Sequence, residues 1–205
     1  MDIRWLKRNN AADVIVVFGG WAIGPEVFPH LDGLQDVVFV NDYTEIDAEL
    51  PDLSGYREVS LLAWSFGVAS YGHWQAGRDD PFHRKVAVNG TLTPVDDALG
   101  IPVQVMEKTA ETLSSASFSQ FLRRAFNARQ APIDIDVTAR RAELQAVAMR
   151  GAGPDTDFDL VWISAQDRIF PAENQRRAWA GQTVREREAP HAPFATFSTW
   201  QEVLT

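Results

Sequence analysis

Ser65, Asp167 and His191 are the side chains of this sequence whose types and order could build an acyl-transfer nucleophile. Ser65 stands in Ala63-Trp64-Ser65-Phe66-Gly67, between the apolar run "SLLAW" and the small-residue stretch "FGVAS". A hydroxyl at the end of a buried strand needs a polar partner. A nucleophile elbow supplies one: the serine sits on a sharp strand-to-helix turn and presents its oxygen at the carboxyl end of a sheet. A helix N-cap would use the same serine differently, so the pentapeptide alone leaves both readings open. Asp167 follows the apolar run "LVWIS" in "SAQDRIFP". There a carboxylate can orient a histidine, or close an Asx turn ahead of Pro171. His191 lies in the Pro-flanked loop "APHAPF", and imidazole is the side chain suited to general-base work near neutrality.

The order Ser, Asp, His is the hydrolase order, different from those of other triad folds. Asp96 and Asp97 are the reserve acids. His30, His73 and His83 come too early in the chain for the terminal loop and read as surface or packing residues. No two histidines have the helix spacing of a metal pair, so no metal is expected. An ester hydrolase also needs donors for the oxyanion. Gly19-Gly20-Trp21 follows the first apolar run, and the backbone N–H groups of Trp21 and Phe66 are the candidates; Gly-Gly also marks a simple turn. Alanine at position 63 replaces the usual first glycine of the elbow and adds one methyl, while Gly67 keeps the tightest contact free of a side chain. This chemistry uses no cofactor.

The elements that must carry these residues show as short, nearly continuous apolar runs at 14–18, 37–40, 59–63 and 160–164, with a weaker one at 85–90. Such runs suit parallel strands covered on both faces. Segments 25–31 and 67–77 are expected as crossover helices, "IRWLKR" as an antiparallel strand at the start and "TVRERE" as a last strand. The pattern predicts an α/β fold with a mostly parallel central sheet and right-handed crossovers. The whole chain, 1–205, reads as one domain, with 102–150 as a helical cap inserted between strands. Two helical stretches are expected there, 105–130 and 138–150, and "GAGPDTD" returns the chain to the sheet.

Within the insertion, Phe118, Phe121, Leu122, Ala125 and Phe126 fall on one helix face, fit either for core packing or for an apolar lid over a cleft. Phe118, Phe121 and Phe126 are the candidate chain-lining residues. The insertion carries seven cations against five carboxylates, net +2, which leaves −11 on the remainder. Arg123 and Arg124 belong either to a solvated helix face or to a docking surface for an anionic partner.

Composition bounds the rest. The chain has 205 residues, 45% of them hydrophobic, enough for one well-filled core. It contains no cysteine, so it has neither disulfides nor thiolate metal sites, which suits the cytoplasm. A formal charge of −9 disfavours nonspecific nucleic-acid binding, and no apolar run reaches membrane-spanning length.

Together, "FGGWAIG", "LLAWSFGVAS", "VAVNGTLTPVDDALGIP", "SAQDRIFPAENQ" and "APHAPF" resemble the α/β-hydrolases, and more narrowly the pimeloyl-[acyl-carrier-protein] methyl ester esterases of the BioG type. "NGTLTPVDDALGIP" is the piece most specific to that family, since general hydrolase chemistry does not require it; a structural role in launching the insertion is expected. The resemblance implies hydrolysis of the methyl ester of pimeloyl-[acyl-carrier protein] methyl ester in biotin biosynthesis, with acyl-carrier protein as partner. It implies Ser65 as nucleophile, Asp167 and His191 as its partners, and Trp21 with Phe66 as oxyanion donors. A broader carboxylesterase or thioesterase acting on small acyl esters, and a noncatalytic binding protein of the same fold, are the alternatives.

Overall fold

The computed structural model describes residues 1–205. Seven strands form one sheet: β1 (Asp2–Lys7), β2 (Asp13–Phe18), β3 (Asp36–Asn41), β4 (Glu58–Trp64), β5 (Arg84–Val88), β6 (Leu160–Ser164) and β7 (Val184–Arg187), in the spatial order β1-β3-β2-β4-β5-β6-β7. Only β1 runs antiparallel, against β3; the other five pairings are parallel. The continuous apolar runs have the cause expected of them. In β2, every residue from Val14 to Phe18 is buried, because protein covers the sheet on both faces. The edge strands β1 and β7 instead expose alternating or charged residues, which blunts pairing with another chain.

Six helices accompany the sheet: α1 (Phe66–Gln75), α2 (Val103–Glu111), α3 (Ser115–Phe126), α4 (Val137–Arg150), α5 (Ala172–Ala178) and α6 (Trp200–Leu204). Helix α1 is buried nearly all round, and it lies so close to β2 that a Cβ on Gly67 would stand 2.1 Å from the Phe18 carbonyl oxygen. That close approach explains the glycine two residues after the serine.

Two sequence expectations change. Segment 25–31 is not a helix: only a 3-10 turn, Pro25–Val27, forms there. Pro29 has no N–H to continue a helix ladder, so the turn ends at Phe28. The stretch 105–130 is two helices. Ser114 accepts the N–H of Ser117 while the Ser117 hydroxyl accepts the N–H of Ser114, a capping box that starts α3 afresh. Asn127, at φ 51°, ends α3 in the left-handed conformation. Helix α4 is capped at its start by Asp136, whose side chain accepts the Ala139 N–H at 3.0 Å. Helices α2, α3 and α4 thus all fall between β5 and β6. No helix is long and apolar enough to cross a membrane.

Candidate active site

The turn from β4 into α1 holds Ser65 at φ 59° and ψ −125°, a region costly for a residue with a side chain and found where the surroundings enforce it. The enforcement is visible on two sides. A Cβ on Gly90 would lie 2.3 Å from the Ser65 carbonyl oxygen, and one on Gly20 would lie 3.3 Å from Ser65 Cβ. The loops after β5 and β2 therefore press against the serine; at Gly90 the approach leaves no room for a side chain, and at Gly20 a Cβ would be a tight fit. Ser65 occupies the N-cap position of α1, yet its side chain caps no amide. Its Oγ lies 3.0 Å from His191 Nε2 instead.

His191 Nδ1 is 2.8 Å from Asp167 Oδ2. An ionised carboxylate only accepts, so these partners place the ring proton on Nδ1 and leave Nε2 free to accept from the serine. Side-chain exposure is 1% for His191 and 0% for Asp167. Asp167 uses its two oxygens differently. Its Oδ1 accepts the N–H groups of Ile169 and Phe170 in an Asx turn, while Oδ2 accepts from His191 and, at 3.1 Å, from Gln175 Nε2. The imidazole is stacked on Phe170, with 10° between the planes, and tilted against Trp64.

The loop carrying His191 is pinned through its backbone. Trp64 Nε1 donates to the His191 carbonyl at 3.0 Å and Asn89 Nδ2 at 2.8 Å. Asn89 also donates to Ser164 Oγ and accepts the Ser164 N–H on Oδ1. It is fully buried at φ 46° and ties the ends of β5 and β6 to the histidine loop. Sequence reasoning missed the parts played by Asn89 and Gln175, although both lie in the stretches that carried the resemblance.

Trp21 is 3% exposed, and its backbone N–H donates to no protein group. The Phe66 N–H is in the first turn of α1, where the helix itself offers no acceptor. The Trp21 side chain reaches the insertion: Nε1 donates to the Arg140 carbonyl, and the ring meets Phe118 and Phe121 edge-on. Asp96 and Asp97 serve as turn and helix caps, accepting from Ala98, Leu99 and Val103 N–H groups. His30, His73 and His83 are engaged with backbone groups elsewhere. No cluster of His, Cys, Asp or Glu fit for a metal is present.

Over residues 1–203 the sequence matches the family described as Pimeloyl-ACP methyl esterase BioG. The chain belongs to the BioG family. The crystal structure of selenomethionine BioG from Haemophilus influenzae superposes with a TM-score of 0.90 at 29% identity, covering 100% of both chains. A Bacteroides fragilis protein named malonyl-[acyl-carrier protein] O-methyltransferase is 32% identical over 180 residues, 82% of this chain and 36% of that one. The esterase EaEST from Exiguobacterium antarcticum shares the fold, at TM-score 0.66 and 14% identity over 92% of this chain and 87% of that one. This BioG protein has the α/β-hydrolase fold and is a carboxylic ester hydrolase.

Beside the serine, the BioG chain encloses a narrow slot of 40 Å³, walled by Trp21, Ser65, Phe66, Met106, Phe121 and Leu144 among others, with Arg124 and Arg168 also on its lining. Of the side chains expected to line a chain-binding site, Phe121 and Arg124 reach this slot. The other three placements are corrected. Phe118 is fully buried behind Trp21. Phe126 faces a separate groove with Ala22 and Ala192. Arg123 borders neither. Adjacent helical residues point about 100° apart, so one arginine of the pair faces the slot and the other does not.

Proposed function

We propose that this chain hydrolyses the methyl ester of pimeloyl-[acyl-carrier protein] methyl ester, releasing methanol, by a Ser65–His191–Asp167 triad. The observation that carries the chemistry is the continuous row of hydrogen bonds from the Ser65 hydroxyl through both nitrogens of His191 to Asp167. Its family membership supports the substrate, as does a relative whose name is that of an enzyme placing a methyl group on an acyl-carrier-bound acid. We place the protein in the cytoplasm, which a chain without cysteine suits.

His191 Nε2 takes the Ser65 proton as Oγ bonds to the ester carbonyl carbon, and Asp167 holds the imidazolium by its Nδ1–H. The carbonyl oxygen becomes an oxyanion received by the Trp21 and Phe66 N–H groups. As the tetrahedral adduct collapses, the bond to the methoxy oxygen breaks and His191 returns the proton, so methanol leaves. Water then gives a proton to His191 and its oxygen to the acyl carbon, freeing the carboxylate and restoring Ser65.

Residues 102–150 act in this reading as a cap. The slot beside Ser65 takes walls from α2, α3 and α4, so these helices shape the space in which a seven-carbon acyl chain would lie. Mass spectrometry of methyl pimeloyl-carrier incubated with the protein tests the proposal. The expected product is the free acid; an unaltered carrier adduct alongside hydrolysis of small free esters would reject this substrate.

A further inference from the structure

Resting on the reading of the Trp21 N–H as an oxyanion donor, we infer that Tyr43 is a positioning residue for ester hydrolysis: it holds the loop Gly19-Gly20-Trp21 so that this N–H meets the developing charge. Tyr43 lies just after β3 and is fully buried. Its hydroxyl donates to the Gly19 carbonyl at 2.8 Å, with the Val40 carbonyl as a longer second acceptor at 3.2 Å. No backbone N–H donates to the Gly19 oxygen, so the tyrosine is the partner that fixes that carbonyl. The loop needs such a tether. Two glycines in succession let the chain pass close to Ser65, where a Cβ on Gly20 would stand 3.3 Å from the serine Cβ, but they also leave their peptides free to rotate. A rotated Gly19–Gly20 peptide redirects the chain entering Trp21 and turns its amide off target. An oxyanion donor is effective because it is fixed before the charge appears. The Gly19 N–H is tied to the Val40 carbonyl at 2.8 Å, and Tyr43 ties the other side of the same residue.

Tyr43 is in turn gripped by α4. Glu143 Oε1 accepts the Tyr43 N–H at 3.1 Å, and Arg150 Nη2 donates to the Tyr43 carbonyl at 2.8 Å. The same helix accepts the Trp21 indole N–H on the Arg140 carbonyl. Helix α4 therefore holds the oxyanion loop from both ends, Trp21 directly and Gly19 through Tyr43. Tyr71 provides the contrast. It is as buried as Tyr43 and packs on the same Phe18 ring, yet its hydroxyl has no partner.

The experiment compares two inhibitors of the same chain length: a trifluoromethyl ketone, which Ser65 converts to a tetrahedral adduct, and the unfluorinated methyl ketone, which binds without reacting. Tyr43→Phe is expected to weaken the first by about tenfold or more while leaving the second within about twofold. On a free methyl ester its kcat falls by a similar factor and KM hardly changes. Tyr71→Phe, which also removes a buried tyrosine hydroxyl, keeps the wild-type values. Should Tyr43→Phe not fold, Arg150→Met carries the test: it frees the Tyr43 carbonyl from α4 at a half-buried position and is expected to weaken the trifluoromethyl ketone selectively, by a smaller factor. Equal weakening of the two ketones, or none, in the variant that folds overturns the role of Tyr43. Labelling the tryptophans with ¹⁵N separates that outcome from failure of the underlying reading. In the wild type the backbone amide proton of Trp21 is expected to move downfield when the adduct forms. An unmoved signal rejects Trp21 as an oxyanion donor, and with it the function given to Tyr43.

Discussion

Asn89 reaches across from the end of β5 to donate a 2.8 Å hydrogen bond to the backbone carbonyl of His191, so the loop that carries the imidazole is held by a buried residue 102 positions earlier in the chain. The same amide accepts the Ser164 N–H at 2.7 Å. Asn89→Ala leaves that buried amide without an acceptor and puts alanine at φ 46°, where asparagine is better tolerated. The expected stability loss is about 2 kcal/mol or more, measured by urea unfolding. Asn89→Asp keeps the acceptor and the backbone preference but removes the donor to His191. It is expected to lower kcat by at least about tenfold and to lower stability as well, because a buried carboxylate there faces the His191 carbonyl with no proton between them.

Ser65→Ala removes the hydroxyl whose side-chain bond within the protein is to His191. Turnover is expected to fall by on the order of 10⁴ or more, with loss of labelling by an active-site serine probe. Circular dichroism should remain that of the wild type, because the loops around Ser65 clamp its backbone rather than its oxygen. Retained labelling in this variant would place the nucleophile elsewhere.

Gly67→Ala tests the packing that makes the elbow possible. The added methyl would meet the Phe18 carbonyl oxygen at 2.1 Å, and Gly19 O at 2.7 Å. Both are backbone atoms of the central strand and its loop, so neither can swing aside. Overpacking of this kind costs about 3 kcal/mol. A lower thermal midpoint and loss of activity are expected together, since the same shift moves Ser65 and the Phe66 N–H.

The strands and the tight turn at Ser65 were legible in the sequence for a local reason. A strand buried on both faces must be apolar at every position, as in "VIVVF", and an elbow needs small residues next to its serine, as at Gly67. What was illegible depends on distant neighbours. Nothing near Asn89 shows that its amide will meet residues 75 and 102 positions later. The periodicity around Phe118 and Phe121 identified a helix face, but which ring reaches the slot depends on where Trp21 inserts between that face and the serine loop. Helices α5 and α6, seven and five residues long, are too short to show a period at all.

Glu143 predicts a pH dependence of stability that can be isolated. Its side chain is 1% exposed on α4, accepting the Tyr43 N–H at 3.1 Å and Arg140 Nη1 at 2.6 Å, while Arg140 also pairs with Asp42. Burial pushes its pKa up from 4.5 to about 7, a shift that Arg140 and the Tyr43 amide reduce but do not cancel. A carboxyl whose folded value lies above its unfolded one prefers its protonated form in the folded state. The associated stability is therefore fully present below about pH 4.5 and is lost as pH rises through about 7, amounting to roughly 3 kcal/mol. Glu143→Gln keeps the size and the acceptor for Tyr43 but cannot ionise. Urea unfolding of both proteins between pH 5 and 8 should show the variant gaining on the wild type as pH rises. Parallel curves across that range would mean that Arg140 keeps Glu143 ionised throughout.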